Sequence, residues 1–259
     1  MKIRHLLFPT LLAFTAAAAL AQSPFDGTWI MNQAKSHLAG DTMTFEAAGD
    51  GMLKVTDSAV SYTFKTDGSE FKTPTGADRT FKMVDATTYE AASKRDGTPL
   101  GSSTWKLSDH DKRLTIDFKG IKANGETYED TSVYDRTSGK SGLVGSWKSK
   151  DVKLGSPSSL VLASSGAEDV TLSIPAEKAT CAAKWDGKDY PVTGGTTPAG
   201  VTLAISKMGA KGFKLVQKLH GKPTSIEEYK LSSDGKVLDT KGTDGEGKEP
   251  YTIVWDRQS

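Results

Sequence analysis

The chain contains the same pattern twice. Gly27-Thr28-Trp29 opens a first copy, which ends at Tyr134-Asp135-Arg136. Gly145-Ser146-Trp147 opens a second copy, which ends at Trp255-Asp256-Arg257. The separation from Trp to Arg is 107 residues in the first copy and 110 in the second. A repeat of this length exceeds the periods of stacked solenoid units and predicts a duplicated domain.

The first 21 residues are predicted to be a secretory signal peptide. Lys2 and Arg4 precede an apolar, alanine-rich run, and Ala19-Leu20-Ala21 has the small-x-small pattern of a cleavage site. The apolar run is short for a membrane span, so no transmembrane segment is expected. We therefore expect a secreted or periplasmic protein with one domain over residues 22–137, a flexible linker at 138–142 and a second domain over 143–259.

The charge pattern argues against nucleic-acid binding. The formal net charge is +1, and loss of Lys2 and Arg4 with the signal peptide makes it −1. Acidic and basic side chains are interspersed, whereas phosphate contacts need clustered Lys or Arg. The single cysteine, Cys181, cannot form a disulfide within the chain. It is predicted to pack as a small apolar side chain, with a disulfide-linked dimer as the alternative.

Strand periodicity dominates both copies. Val60, Tyr62 and Phe64 alternate with polar residues, which places their side chains on one face of a strand. Asp96-Gly97 and Asn124-Gly125 supply the backbone conformations that tight hairpins require. We predict an all-β protein with two tandem antiparallel up-and-down β-barrels, each of about eight to ten short strands. An open sandwich is the alternative architecture.

The paired tripeptides carry a resemblance to a known family. A Gly-x-Trp on the first strand with an Arg at the end of the last resembles the framework of the lipocalin and fatty-acid-binding (calycin) barrels. The chain is similar, once in each copy, to exported bacterial lipocalin-like proteins of unassigned function. The resemblance implies that Trp29 stacks with Arg136 and Trp147 with Arg257, as a structural signature. It also implies a barrel that can enclose a ligand, although halves this short could be filled by their own side chains.

Aromatic residues are the candidates for lining such a cavity. They are expected either to fill the barrels or to contact a small hydrophobic or amphipathic ligand. The candidate ligand-binding residues are Tyr62, Phe64, Tyr89, Trp105, Phe118, Phe213 and Tyr229.

No familiar catalytic or phosphate-binding motif occurs in the sequence. Asp109-His110-Asp111 could orient a histidine or hold a metal, but the matching segment of the second copy, Ser233-Asp234-Gly235, has the composition of a plain turn. We therefore predict a hairpin turn there, no metal site and no cofactor.

The prediction for function is an exported, non-enzymatic binding protein for a small apolar ligand. The alternatives are a protein-interaction or inhibitor-like envelope module with filled barrels, and an enzyme that uses carboxylates at a barrel mouth.

Overall fold

The computed structural model describes residues 23–57 and 60–258, so the predicted signal peptide lies outside the described residues. Two three-residue 3₁₀ helices, Gln33–Lys35 and Pro175–Glu177, are the helices of the described part. Neither is long or apolar enough to cross a membrane. The strands are β1 (Gly27–Met31), β2 (Thr42–Ala47), β3 (Met52–Asp57), β4 (Val60–Lys65), β5 (Asp67–Lys72), β6 (Asp78–Met83), β7 (Thr88–Arg95), β8 (Thr98–Ser108), β9 (Arg113–Ile121), β10 (Thr127–Arg136), β11 (Gly145–Lys153), β12 (Ser159–Ser164), β13 (Asp169–Ile174), β14 (Ala179–Lys184), β15 (Asp186–Pro191), β16 (Val201–Lys207), β17 (Gly212–Leu219), β18 (Lys222–Leu231), β19 (Val237–Asp244) and β20 (Tyr251–Arg257).

The strands form two antiparallel sheets of ten strands, and each sheet curls into a nearly closed barrel. The first barrel has the order β4-β3-β2-β11-β10-β9-β8-β7-β6-β5. The second barrel has the order β14-β13-β12-β1-β20-β19-β18-β17-β16-β15. The prediction of an all-β chain with two up-and-down barrels is confirmed.

The boundaries between the barrels differ from those expected from the repeat. Strand β1 pairs with β12 and β20, so residues 27–31 belong to the second barrel and not to a domain over 22–137. The predicted linker, 138–142, lies in the hairpin loop between β10 and β11, which pair within the first barrel. The first barrel is therefore the continuous stretch 42–153, and the chain crosses between barrels at 32–41 and 154–158.

The predicted pairing of the signature residues is corrected in the same way. The Arg136 guanidinium lies 4.0 Å from the ring centre of Trp147, and that of Arg257 lies 4.1 Å from the ring centre of Trp29. Both indoles are fully buried. The strands of a barrel form a ring, so either Gly-x-Trp strand can take the same place in it. The sequence repeat therefore shows which strands are equivalent, but it does not show which barrel each strand joins.

The Trp–Arg pairs close one end of each barrel, which we call the closed end. The Trp147 Nε1 donates to the Leu143 carbonyl at 2.8 Å, and Arg136 donates to the carbonyls of Asp111, Gly142 and Val144. The second barrel repeats this arrangement, with Trp29 Nε1 donating to the Phe25 carbonyl at 2.9 Å. Each guanidinium thus combines a cation–π contact with several carbonyl hydrogen bonds at the point where the last strand meets the Gly-x-Trp strand.

The opposite end of each barrel, which we call the open end, faces the other barrel. The backbone amide of Asn124 donates to the Ala176 carbonyl at 3.2 Å, and Lys122 Nζ donates to Ser156 Oγ at 2.5 Å. Asn124 lies in the β9–β10 hairpin of the first barrel, and Ala176 lies before β14 of the second. Both chain crossings also leave from the open ends, so the barrels meet there.

Candidate functional site

The first barrel encloses a cavity of about 560 Å³ that reaches its open end. Its walls come from the inward faces of nine strands, β2–β10, because alternate residues of a strand point to the same side. The volume lies within the range of about 300–1000 Å³ that is typical of small-molecule pockets. A barrel filled by its own side chains would not contain such a space, so this cavity is the candidate functional site.

Aromatic rings form one wall of the cavity. Phe64 stacks on Phe71 with ring centres 5.2 Å apart, and the Tyr62 ring lies 5.9 Å from each of them. These rings come from β4 and β5, the two strands at the ends of the sheet, which do not pair with each other within the described residues. The apolar wall therefore lies at the seam of the barrel.

Arg79 places a positive charge inside this apolar space. It lies two residues before the buried Phe81 on β6, so both side chains point inward. Arg79 Nη1 donates to the Tyr62 hydroxyl at 3.2 Å, and the guanidinium lies 5.7 Å from the ring centre of Trp105. Both of these partners are neutral. A guanidinium held in this way keeps donors for an oxygen-bearing group of a ligand.

Other polar groups also line this cavity. Arg95 lies at the open end, and Asp57 also contributes to the lining. The Tyr134 hydroxyl donates to Asp41 Oδ2 at 3.2 Å. Burial and the negative charge of Asp41 raise the pKa of Tyr134 well above its usual value, so its hydroxyl stays protonated at neutral pH.

The structure places four of the seven predicted lining residues in the cavity. Tyr62, Phe64, Trp105 and Phe118 line it, as expected. Tyr89 does not, because its side chain packs in the core towards the closed end and borders a separate recess beside residues 141–144.

The two candidate residues of the second barrel follow the other expectation, which is that aromatic residues fill the barrel. Phe213 and Tyr229 are buried and stack on each other, with ring centres 4.3 Å apart. They fill the second-barrel core and do not border its cavity.

Sequence reasoning missed Arg79. The signal was present in Arg79-Thr80-Phe81, where an arginine shares the face of an apolar residue on an alternating strand. A charge on an inward face is informative, because isolated surface charges are common and buried ones are rare.

The second barrel has a smaller and more apolar cavity, of about 370 Å³, at its open end. Leu172, Leu203 and Leu219 contribute to its walls, together with the thiol-bearing residue Cys181. Cys181 is fully buried, as predicted for a small apolar side chain, and burial raises the pKa of its thiol.

The interior of the second barrel also holds a carboxylate. The Tyr229 hydroxyl donates to Glu227 Oε2 at 2.6 Å, and the Tyr251 hydroxyl donates to Glu227 Oε1 at 2.6 Å. Burial and the Glu227 charge raise the pKa of both tyrosines. Both carboxylate oxygens are therefore already used within the protein.

A surface depression of about 1070 Å³ is an open groove on the outer face of the first barrel. Its charged residues form ion pairs with each other, such as Lys94 with Glu70 at 2.7 Å and Lys119 with Glu129 at 3.0 Å. These side chains are well exposed, and solvated ion pairs contribute little binding energy. The groove is therefore a weaker candidate than the cavity inside the first barrel.

Asp109-His110-Asp111 lies in the turn between β8 and β9, as predicted. All three residues have left-handed backbone conformations, with φ between 54 and 60°. The Asp111 carboxylate accepts from the Gly142 amide at 2.9 Å, and its carbonyl accepts from Arg136. The segment thus supports the closed end of the first barrel.

Comparison of the chain with protein-family models, with curated proteins and with solved structures gave no match.

Proposed function

We propose that the protein is an exported, lipocalin-like binding protein that carries a small amphipathic ligand in the first barrel. The observation that carries this proposal is an arginine, Arg79, inside an apolar cavity of about 560 Å³. Apolar walls favour a hydrocarbon body through the hydrophobic effect, at roughly 25 cal/mol per Å² of apolar surface removed from water. The guanidinium favours a carboxylate or another acidic oxygen group at one end of that body.

A binding role fits the groups around Arg79 better than catalysis does. An arginine remains protonated throughout the accessible pH range, so it cannot act as a general base. Tyr62 is already hydrogen bonded to that arginine, and Tyr134 is held protonated by its surroundings. The donors that remain for a ligand are those of the Arg79 guanidinium and the Tyr62 hydroxyl, because the Tyr134 hydroxyl already donates to Asp41.

The proposal predicts that the acidic group of the ligand contacts Arg79. The full chain is titrated by calorimetry with dodecanoate and with dodecanol, which share a chain length and differ in charge. Arg79→Leu is expected to weaken dodecanoate binding by about 10- to 100-fold, the equivalent of one charge-assisted hydrogen bond, and to leave dodecanol binding nearly unchanged. Leucine is a suitable replacement because the corresponding position of the second barrel is Leu203.

The matched control is Arg113→Leu. Arg113 lies on the outer face of the same barrel and pairs with Asp135 at 3.5 Å. The Arg113→Leu substitution removes one positive charge, as Arg79→Leu does, but does not alter the cavity. Dodecanoate should therefore bind this variant as it binds the unmodified chain. Absence of binding by the unmodified chain, or equal weakening in both variants, would contradict the proposal.

A further inference from the structure

The cavities of the two barrels meet where the open ends face each other. Thr75 and Val60 of the first barrel line both the cavity of about 560 Å³ and the cavity of about 370 Å³. Thr75 lies in the turn between β5 and β6. The first barrel therefore contributes part of the wall of the second-barrel cavity.

Arg95 lies across this junction. It donates one Nη2 hydrogen bond to the Thr75 carbonyl at 3.3 Å and an Nη1 hydrogen bond to the Thr196 carbonyl. Thr196 belongs to the loop that borders the second cavity, so a single side chain from β7 contacts both barrels at the point where their cavities meet.

The Arg95 guanidinium also has an unsatisfied donor. Its Nε is buried and has no hydrogen-bond partner in the described part of the chain. A buried donor without a partner is unfavourable. Arg79 pairs with Ser93, which lies two residues before Arg95 on the same face of β7, so an oxygen atom of an acidic head group held between Arg79 and Arg95 would satisfy this donor.

The two cavities differ in chemistry along the line that joins them. The first contains Arg79 and the Tyr62 hydroxyl, whereas the second is walled by Leu172, Leu203 and Leu219. An elongated molecule with one acidic end and an apolar tail matches this polarity. A compact ligand would use only one of the two spaces.

We infer that the two cavities form one binding chamber, and that a single long-chain acidic amphiphile spans the junction with its head at Arg79 and its tail in the second barrel. The inference rests on the proposed function of the first-barrel cavity. It also assigns a role to the second barrel, which holds the tail. The two barrels together then form one binding unit.

Leu219→Cys, made together with Cys181→Ser, reports whether the second cavity is occupied. Leu219 lines that cavity from a half-buried position, whereas Cys181, the single cysteine of the chain, is fully buried and therefore unreactive. The full chain with both substitutions is treated with N-ethylmaleimide, and alkylation is followed by mass spectrometry at saturating octanoate or octadecanoate. Octadecanoate is expected to slow alkylation by about tenfold or more, since a bound tail would shield the thiol. Octanoate should bind without slowing it, because its shorter tail ends within the first barrel.

Calorimetry on the same samples separates the two hypotheses. If neither carboxylate binds, the proposed function fails. If octadecanoate binds at one molecule per chain but alkylation is unchanged, the first barrel binds alone and the shared chamber is disproved. If octadecanoate slows alkylation equally well after Arg79→Leu is added to the reporter chain, with unchanged affinity, the head does not lie at Arg79 and the inference is also wrong.

A second variant tests the chamber without relying on thiol reactivity. Leu219→Trp narrows the second cavity from a half-buried position, where a larger side chain can be accommodated. It is expected to weaken octadecanoate binding by about tenfold and to leave octanoate binding unchanged. Equal affinities of both carboxylates for this variant and for the unmodified chain would overturn the inference.

Discussion

The two barrels share a framework and differ inside. Each has ten strands, and each is closed at one end by an arginine stacked on a fully buried tryptophan. Strand order and register align Tyr62 with Cys181 and Arg79 with Leu203. The polar pair of the first cavity is thus replaced by a thiol and a hydrocarbon. The framework can be retained while the interior changes, because the closed end and the cavity use different residues of the same strands.

The interiors differ in the sign of their charge as well. In the second barrel, Glu227 occupies the position that corresponds to Ser103 of the first. Its two oxygens accept hydrogen bonds from Tyr229 and Tyr251, so its charge is used in packing. Arg79 of the first barrel contacts a hydroxyl and a ring at the edge of an unfilled space. This contrast explains why we assign ligand recognition to the first barrel.

The largest effect is expected from removing β1, because the second barrel is built from two separate segments of the chain and β1 is one of them. A chain that begins at residue 42 should retain a cooperatively folded first barrel, since 42–153 contains all ten of its strands. The second barrel should lose its own transition, because it lacks the strand that carries Trp29 and joins β12 to β20. Scanning calorimetry of the shortened chain checks both expectations.

A fragment that follows the sequence repeat provides the control. Residues 22–137 end before β11, so this fragment lacks the Trp147 strand that pairs with β2 and β10. We expect no cooperative transition from it, whereas a fragment of residues 42–153 should show one. If the 22–137 fragment folds as a monomer, the strand assignment is wrong.

The next effect in size concerns the two signature tryptophans. Trp29→Ala should lower the free energy of unfolding of the second barrel by about 3–5 kcal/mol, and Trp147→Ala that of the first by a similar amount. Each indole is fully buried under an arginine, so truncation leaves a cavity in the core. Hydrogen exchange resolved by strand shows which barrel loses protection. Loss of protection in 42–153 for Trp29→Ala would contradict the observed pairing.

The sequence predicted local features well. Alternation along Val60, Tyr62 and Phe64 identified β4, and Asp96-Gly97 marked a hairpin in which both residues have positive φ. These features depend on neighbouring residues and on one-sided burial, so they can be recognised from short stretches. The sequence therefore predicted the strands and the barrel class.

The assignment of strands to barrels depends on pairing between distant residues. Trp29 lies beside Arg257 and not Arg136, and either arrangement satisfies the same local pattern. The cavity depends on volume, which follows from how side chains from many strands fill a space. For this reason Tyr62 lines the cavity and Tyr89 packs in the core, although both are aromatic residues in strands of alternating apolar and polar residues.

The smallest expected effect distinguishes the barrels at alkaline pH. Burial and a neighbouring carboxylate raise the folded-state pKa of Tyr134 in the first barrel and of Tyr229 in the second. An unfolded tyrosine loses its proton near pH 10. The folded state then binds more protons than the unfolded state, so the stability from each tyrosine is complete below about pH 10 and is lost as the pH rises further.

Replacing its own tyrosine should therefore reduce the alkaline sensitivity of each barrel, and in the second barrel only in part, because the raised pKa of Tyr251 also contributes there. Tyr229→Phe is expected to flatten the fall in second-barrel stability above about pH 10, and Tyr134→Phe to flatten that of the first barrel alone. Urea unfolding at several alkaline pH values, followed by strand-resolved hydrogen exchange, measures the two slopes. If Tyr229→Phe instead flattened the first-barrel slope, the two hydroxyl networks would have to be coupled across the open ends. Equal slopes in both variants and the unmodified chain would show that neither hydroxyl stabilises its barrel through its proton.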